Sequence, residues 1–189
     1  MNIAIVGATG NVGRKIIEVL ERKNFSVTNL YLLASAKSSG VKIKFKDSEI
    51  EVSDLENFDF SKADITFFSA GGKISEKYVS AAAKHTVVID NSSYFRMDPD
   101  VPLIVPQVNS KEIKNMKKNI LANPNCSTAQ LVIVLKNLND NFKIKRLVIS
   151  TYQSTSGAGK KPMDELLNQT KKALESKEIK SEKDRKSVV

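Results

Sequence analysis

The chain has 189 residues, with 30 Lys plus Arg against 21 Asp plus Glu, a net charge of +9, one Cys and one His. The length suits one domain, or one domain with part of another, and 41% hydrophobic with 27% charged residues describes a soluble globular chain. One Cys excludes an internal disulfide, one Cys with one His excludes a Cys/His zinc site, and no apolar run reaches the roughly 18 residues of a spanning helix, so no metal and no membrane partner are expected and a cytoplasmic location is.

Asn2, Ile3, Ala4, Ile5 and Val6 form a short β-branched run that stops at Gly7 and reads as a buried strand. Val12, Ile16, Val19 and Leu20 then fall at helical spacing, which predicts a helix over 11–22. A second apolar run covers 30–33, and Val41, Ile43, Phe45, Ile50 and Val52 alternate as a two-stranded excursion would. A strand over 65–68 precedes an Ala-rich helix over 74–84, and further short apolar runs occupy 86–89, 103–105 and 120–121. After Asn123-Pro124-Asn125 the spacing predicts a helix over 127–138, then a strand over 145–151. A last helix over 161–174 carries Met163, Leu166, Leu167 and Leu174 on its apolar face. Strands alternating with helices predict a parallel α/β sheet whose ligand lies beyond the carboxyl ends of its strands. The basic excess is mostly Lys, with five Arg, scattered and not interleaved with aromatics. It reads as a solvated surface, and no specific nucleic-acid partner is expected.

The loop Gly7-Ala8-Thr9-Gly10-Asn11-Val12-Gly13 places glycines three apart between a strand and a helix. Small residues there let backbone N–H groups at a helix N-terminus approach a pyrophosphate, so the loop is a candidate dinucleotide site, with a tight structural turn as the alternative. At the end of the second strand, where a NAD-selective site places an acid, the residues are Ala34-Ser35-Ala36-Lys37-Ser38, and no acid occurs before Asp47. Hydroxyls and a cation suit a 2′-phosphate and favour NADP. Cys126 stands where a helix begins, and a thiol there faces the positive end of the helix dipole, which favours a nucleophilic thiolate. A buried, inert thiol is the alternative. A dinucleotide site in the same chain favours the nucleophile, because a thiolate that forms an acyl intermediate beside a nicotinamide is the logic of acyl-phosphate oxidoreductases.

GATGNVG, LLASAKSSG, FFSAGG, DNSSYFRMDPDVPLIVPQVN, NPNCSTAQL and TYQSTSGAGKKPMDELLNQT, in that order over residues 1–175, resemble the aspartate-semialdehyde dehydrogenase family. The N-acetyl-glutamyl-phosphate reductase family has a similar loop and Cys, but its Cys segment usually reads Pro-Gly-Cys-Tyr, and NPNCST favours the aspartate enzyme. The resemblance implies NADPH-dependent reductive dephosphorylation of L-aspartyl 4-phosphate to L-aspartate 4-semialdehyde through a Cys126 thioester, on the route to lysine, methionine, threonine and diaminopimelate. It implies that Gln153 orients the acyl group, and that Arg96 and Asn125 serve the phosphate and acyl subsites. Gly7, Thr9, Gly10, Asn11 and Val12 match the pyrophosphate loop, and Ser35, Lys37 and Ser38 match the 2′-phosphate segment. Ala70, Gly71 and Gly72 would face the nicotinamide.

The family's chains are nearly twice as long, and their second half contributes a His general base, an Arg for the substrate carboxylate and most of a homodimer surface. The expectation is therefore a Rossmann-like NADP-binding domain over 1–122, an incomplete α+β catalytic and dimerisation domain over 123–175, and a disordered tail over 176–189. His85, the single His, is expected to be structural or on the surface. An NADP-binding remnant without turnover stands as the alternative function.

Overall fold

The computed structural model describes residues 1–175. The chain divides into two compact units, Met1–Leu147 and a second that begins at Val148. The expected disordered tail over 176–189 lies outside the described residues.

In the first unit, β1 (Asn2–Val6) is buried along nearly its whole length, as a strand covered on both faces must be. It leads through the glycine loop into α1 (Asn11–Arg22), which buries Gly13, Ile17 and Leu20 at helical spacing. β2 (Asn29–Ala34) follows, then an antiparallel hairpin of β3 (Lys42–Phe45) and β4 (Ser48–Glu51) that pairs Ile43 with Ile50. The chain continues through β5 (Ser53–Asp54), β6 (Ile65–Phe68), α2 (Gly72–Ala82), β7 (Val87–Asp90), the short α3 (Pro106–Asn109), β8 (Ile120–Ala122) and α4 (Cys126–Phe142).

Six strands form one sheet in the order β5-β2-β1-β6-β7-β8, with every pairing parallel. From β1 the chain moves outward to β2 and β5, then returns to β6 on the other side of β1. The carboxyl ends of β1 and β6 therefore flank the point where strand order reverses, which is where open α/β sheets bind ligands. Alternation along β1 divides the core. Ile3 and Ile5 pack with Ile17 and Leu20 of α1 on one face, and Ala4 and Val6 pack with Val79 and Ala82 of α2 on the other. The α/β, Rossmann-like expectation for this part holds.

Two short runs differ from expectation. Residues 103–105 make only an isolated bridge, Leu103 to Ala122, because Pro102 and Pro106 bracket them and lack the N–H a ladder needs. Residues 145–151 form no strand. Their alternation satisfies the strand period, but a strand exists only by pairing, and nothing among the described residues pairs with them. Leu147, Val148 and Ile149 are exposed.

α4 runs 17 residues, longer than its apolar spacing implied, and buries none of them. In the second unit, residues 148–154 are irregular, a single helical turn covers Thr155–Ala158, and α5 spans Lys160–Leu174. Met163, Leu166, Leu167 and Leu174 are all exposed on α5.

Candidate functional site

The glycine loop turns at the carboxyl end of β1. Gly7 has φ +85°, and the N–H groups of Gly7 and Ala8 both donate to Leu33 O, at 2.8 and 3.1 Å, which ties the loop to the end of β2. A Cβ on Gly7 would stand 3.0 Å from the carbonyl carbon and oxygen of Ser69, at the end of β6. A Cβ on Gly13 would stand 2.2 Å from Gly7 O, so this glycine lets α1 close onto the loop. Gly10 caps α1 without a side chain, and the first turn carries no acid. Asn11 and Val12 are exposed there. The result is a helix N-terminus open to an anion.

A cleft of about 550 Å³ opens at this edge, lined by Gly7, Thr9 and Gly10, by Ser35 and Ser38 beyond β2, and by Ala70 beyond β6. Lys37 is exposed in the short helical turn between Ser35 and Ser38. Gly71, at φ +89°, caps α2, and Gly72 is its first residue, so a second helix N-terminus begins next to the loop. Of the residues expected at a cofactor, the cleft thus brings together Gly7, Thr9, Gly10, Ser35, Ser38 and Ala70, with Asn11, Val12, Lys37, Gly71 and Gly72 adjacent to them along the chain.

It also brings in Asp54 and Glu56, which line the same cleft and which reading the chain in order does not find. Asp54 arrives because β5 pairs with β2, setting Asp54 beside Ala34. Its carboxylate accepts from Glu56 N–H at 3.2 Å, and Glu56 forms an ion pair with Lys77 at 3.2 Å. The hydroxyl of Tyr78, and then Glu56, hold the Lys77 ammonium above the usual lysine range.

At the carboxyl ends of β7 and β8 a second set assembles. Asp90 is fully buried and accepts from the Ser75 hydroxyl of α2 at 2.7 Å, from Ser92 N–H at 3.0 Å and from the Ser92 hydroxyl at 2.6 Å. Asn123 N–H donates to Asp90 O at 2.8 Å, and the Asn123 side-chain amide donates to Asn91 Oδ1. Arg96 is half-buried and donates from Nε to Asn123 O at 3.0 Å and from Nη2 to Asn91 O at 3.1 Å.

Asn125 caps α4, its Oδ1 accepting from Ser127 N–H at 3.0 Å and from the Ser127 hydroxyl at 2.7 Å. Cys126 is the first residue of the helix and a free, exposed thiol, 3.7 Å from the same Oδ1. The thiol is thus exposed rather than buried. Arg96, Asn125 and Cys126 therefore follow strands of the same sheet, on the same carboxyl edge as the glycine loop. Gln153 belongs to the second unit, where it is exposed. His85 is exposed and immediately precedes Thr86 and β7, so it lies at the amino edge of the sheet, opposite Cys126.

Comparison with known proteins agrees with this architecture. Residues 2–116 match the semialdehyde dehydrogenase NAD-binding domain, and residues 135–188 match the semialdehyde dehydrogenase dimerisation domain. An aspartate-semialdehyde dehydrogenase from Rickettsia bellii is 49% identical over 172 residues, covering 90% of this chain and 51% of the relative. One from Aquifex aeolicus is 52% identical over 180 residues, covering 94% of this chain and 53% of the relative. The chain thus spans about half the length of the curated relatives it matches. A crystal structure of aspartate semialdehyde dehydrogenase II from Vibrio cholerae, complexed with ASA, superimposes with a TM-score of 0.94 at 45% identity, over 98% of this chain and 56% of that one. The Candida albicans enzyme with NADP superimposes at 0.59 and 28% identity, over 76% of this chain and 48% of that one.

Proposed function

This chain belongs to the semialdehyde dehydrogenase family, and on that premise we propose that it carries the cofactor cradle and the nucleophile of an NADP-dependent aspartate-semialdehyde dehydrogenase. The substrates are L-aspartyl 4-phosphate in one direction and L-aspartate 4-semialdehyde with phosphate in the other. The proposal divides the chain at residue 122, cofactor domain before and the opening of the catalytic and dimerisation domain after, and it extends to a homodimer in the cytoplasm.

The observation that carries the reading is Cys126, exposed at the first residue of α4 on the same sheet edge as the glycine loop. Its Sγ attacks the acyl carbon of aspartyl phosphate, the carbon–oxygen bond to the phosphoryl group breaks, phosphate leaves, and a thioester remains on the protein. The chemistry NADPH supplies when bound is hydride donation.

The cradle fits such a group. The Cβ atoms missing from Gly7 and Gly13 would fill space the loop needs, and Gly10, Asn11 and Val12 leave the N-terminus of α1 open to a pyrophosphate. Thr9, Ser35 and Ser38 line the same cleft, and Lys37, in the turn between the two serines, completes the segment that serves the 2′-phosphate. Ala70, Gly71 and Gly72 flank the nicotinamide. Arg96 and Asn125 serve the phosphate and acyl group.

The test is purified protein with aspartate semialdehyde, phosphate and NADP. NADPH formation that Cys126→Ala abolishes, with NADP affinity retained, sustains the reading. Bound NADP without turnover selects a second reading, nucleotide binding without catalysis. The position of His85 favours that second reading, because the chain's single imidazole stands at the far edge of the sheet and cannot act as base toward Cys126.

A further inference from the structure

The guanidinium of Arg96 is engaged by two backbone carbonyls. Nε donates to Asn123 O and Nη2 to Asn91 O, at 3.0 and 3.1 Å, and those carbonyls leave two different strands, β8 and β7. The Asn123 amide bridges the same gap to Asn91 Oδ1, and Asn123 N–H is held by Asp90 O. Behind them the buried Asp90 carboxylate, with its three donors from Ser75 and Ser92, anchors the Asn91 side to α2. From Asn123 the chain reaches Cys126 in three residues, through buried Pro124, whose ring fixes φ, and Asn125, which caps α4.

We propose that Arg96 is a positioning residue for Cys126, acting through Asn123 to hold the thiol at the α4 N-terminus. This rests on the reading of Cys126 as nucleophile and adds a role for Arg96 distinct from contact with phosphate. A planar fork can donate to two carbonyls at once, which a lysine ammonium on its flexible stem cannot reproduce. Misplacement of a reacting atom by about 1 Å costs up to roughly a hundredfold in rate.

The test is alkylation of the full chain, whose single Cys leaves no background, with neutral iodoacetamide and anionic iodoacetate, in the absence of NADP and substrate. Arg96→Lys keeps the charge and loses the fork. Asn123→Ala keeps Arg96 and loses the amide bridge. Asn91→Asp keeps the Oδ1 acceptor. Positioning requires Arg96→Lys to slow iodoacetamide by roughly threefold or more, with the iodoacetate-to-iodoacetamide ratio unchanged, while Asn123→Ala and Asn91→Asp, which leave both backbone carbonyls to Arg96, slow it less. A neutral-reagent rate at the wild-type value in Arg96→Lys overturns the proposal, as does loss of the anionic preference alone. Thermal melting identifies any variant that fails to fold, and if Arg96→Lys does so, Arg96→Gln, which also lacks the fork, decides. Neither NADP binding nor turnover enters the comparison, so failure of the proposed dehydrogenase activity shows separately.

Discussion

Gly13→Ala sets helix propensity against packing, and the two predict opposite signs. Gly13 lies in the first turn of α1, where Ala is the better helix former by about 1 kcal/mol. The added Cβ, however, would stand 2.2 Å from Gly7 O, 2.8 Å from Ala8 Cα and 2.9 Å from Gly7 C. All three are backbone atoms, so relief requires α1 to move off the loop by about 1 Å to reach ordinary contact distances. A backbone clash belongs at or above the upper end of the roughly 1–3 kcal/mol that overpacking costs. Set against the propensity gain, the net destabilisation is about 2 kcal/mol, and at about 2–4 °C per kcal/mol for a chain of this size the melting temperature falls by about 4–8 °C. The same movement displaces the first-turn N–H groups from the cleft, and weakening one charge-assisted hydrogen bond lowers NADP affinity by roughly tenfold. Thermal melting by circular dichroism and a fluorescence titration with NADP measure both effects. Gly40→Ala serves as the control: at φ +85° with nothing within 4 Å of the added Cβ, it carries only the left-handed backbone cost of about 1–2 kcal/mol. An unchanged or raised melting temperature for Gly13→Ala, with unchanged NADP affinity, refutes the reasoning.

Asp90→Ala strands the Ser75 and Ser92 hydroxyls in the interior and lowers stability by about 3 kcal/mol or more, read from urea denaturation. Lys37→Ala removes the cation beside Ser35 and Ser38 and weakens NADP by roughly tenfold while leaving NAD unchanged, measured by parallel titrations. Asp98 is held below the usual carboxylate range, first by Asp100 N–H and then by Lys118. A depressed native value stabilises the fold above the unfolded value of about 3.9, and that contribution is lost as pH falls through the native value. The urea midpoint therefore drops on acidification below about pH 4, and Asp98→Asn flattens part of that drop. Identical acid profiles for the two proteins would contradict the assignment.

Much of the cleft at the glycine loop is legible in order along the chain, because strand, glycine loop and helix are consecutive and each is specified by near neighbours. Cys126 at a helix start is legible for the same reason: Asn125 supplies the cap, and apolar spacing begins just beyond it. The acids of the cleft are not legible. Asp54 reaches Ser35 and Ser38 only through the β2–β5 pairing, and no local pattern announces which strand will lie beside β2. Residues 145–151 mark the converse failure, since alternation there meets the strand period without a partner to pair with.

The sequence by itself determined the order of strands and helices, the glycines of the loop and the capped thiol. These depend on backbone conformation and on contacts within about one helical turn. Tertiary structure alone decided that Asp90 joins α2 to the end of β7, that Arg96 bridges carbonyls from two strand exits, and that His85 stands on the opposite edge from Cys126. The physical reason is range. A hydrogen bond between Arg96 and Asn123 spans 27 positions, and its existence depends on the parallel register of β7 and β8, which no residue in either segment specifies alone.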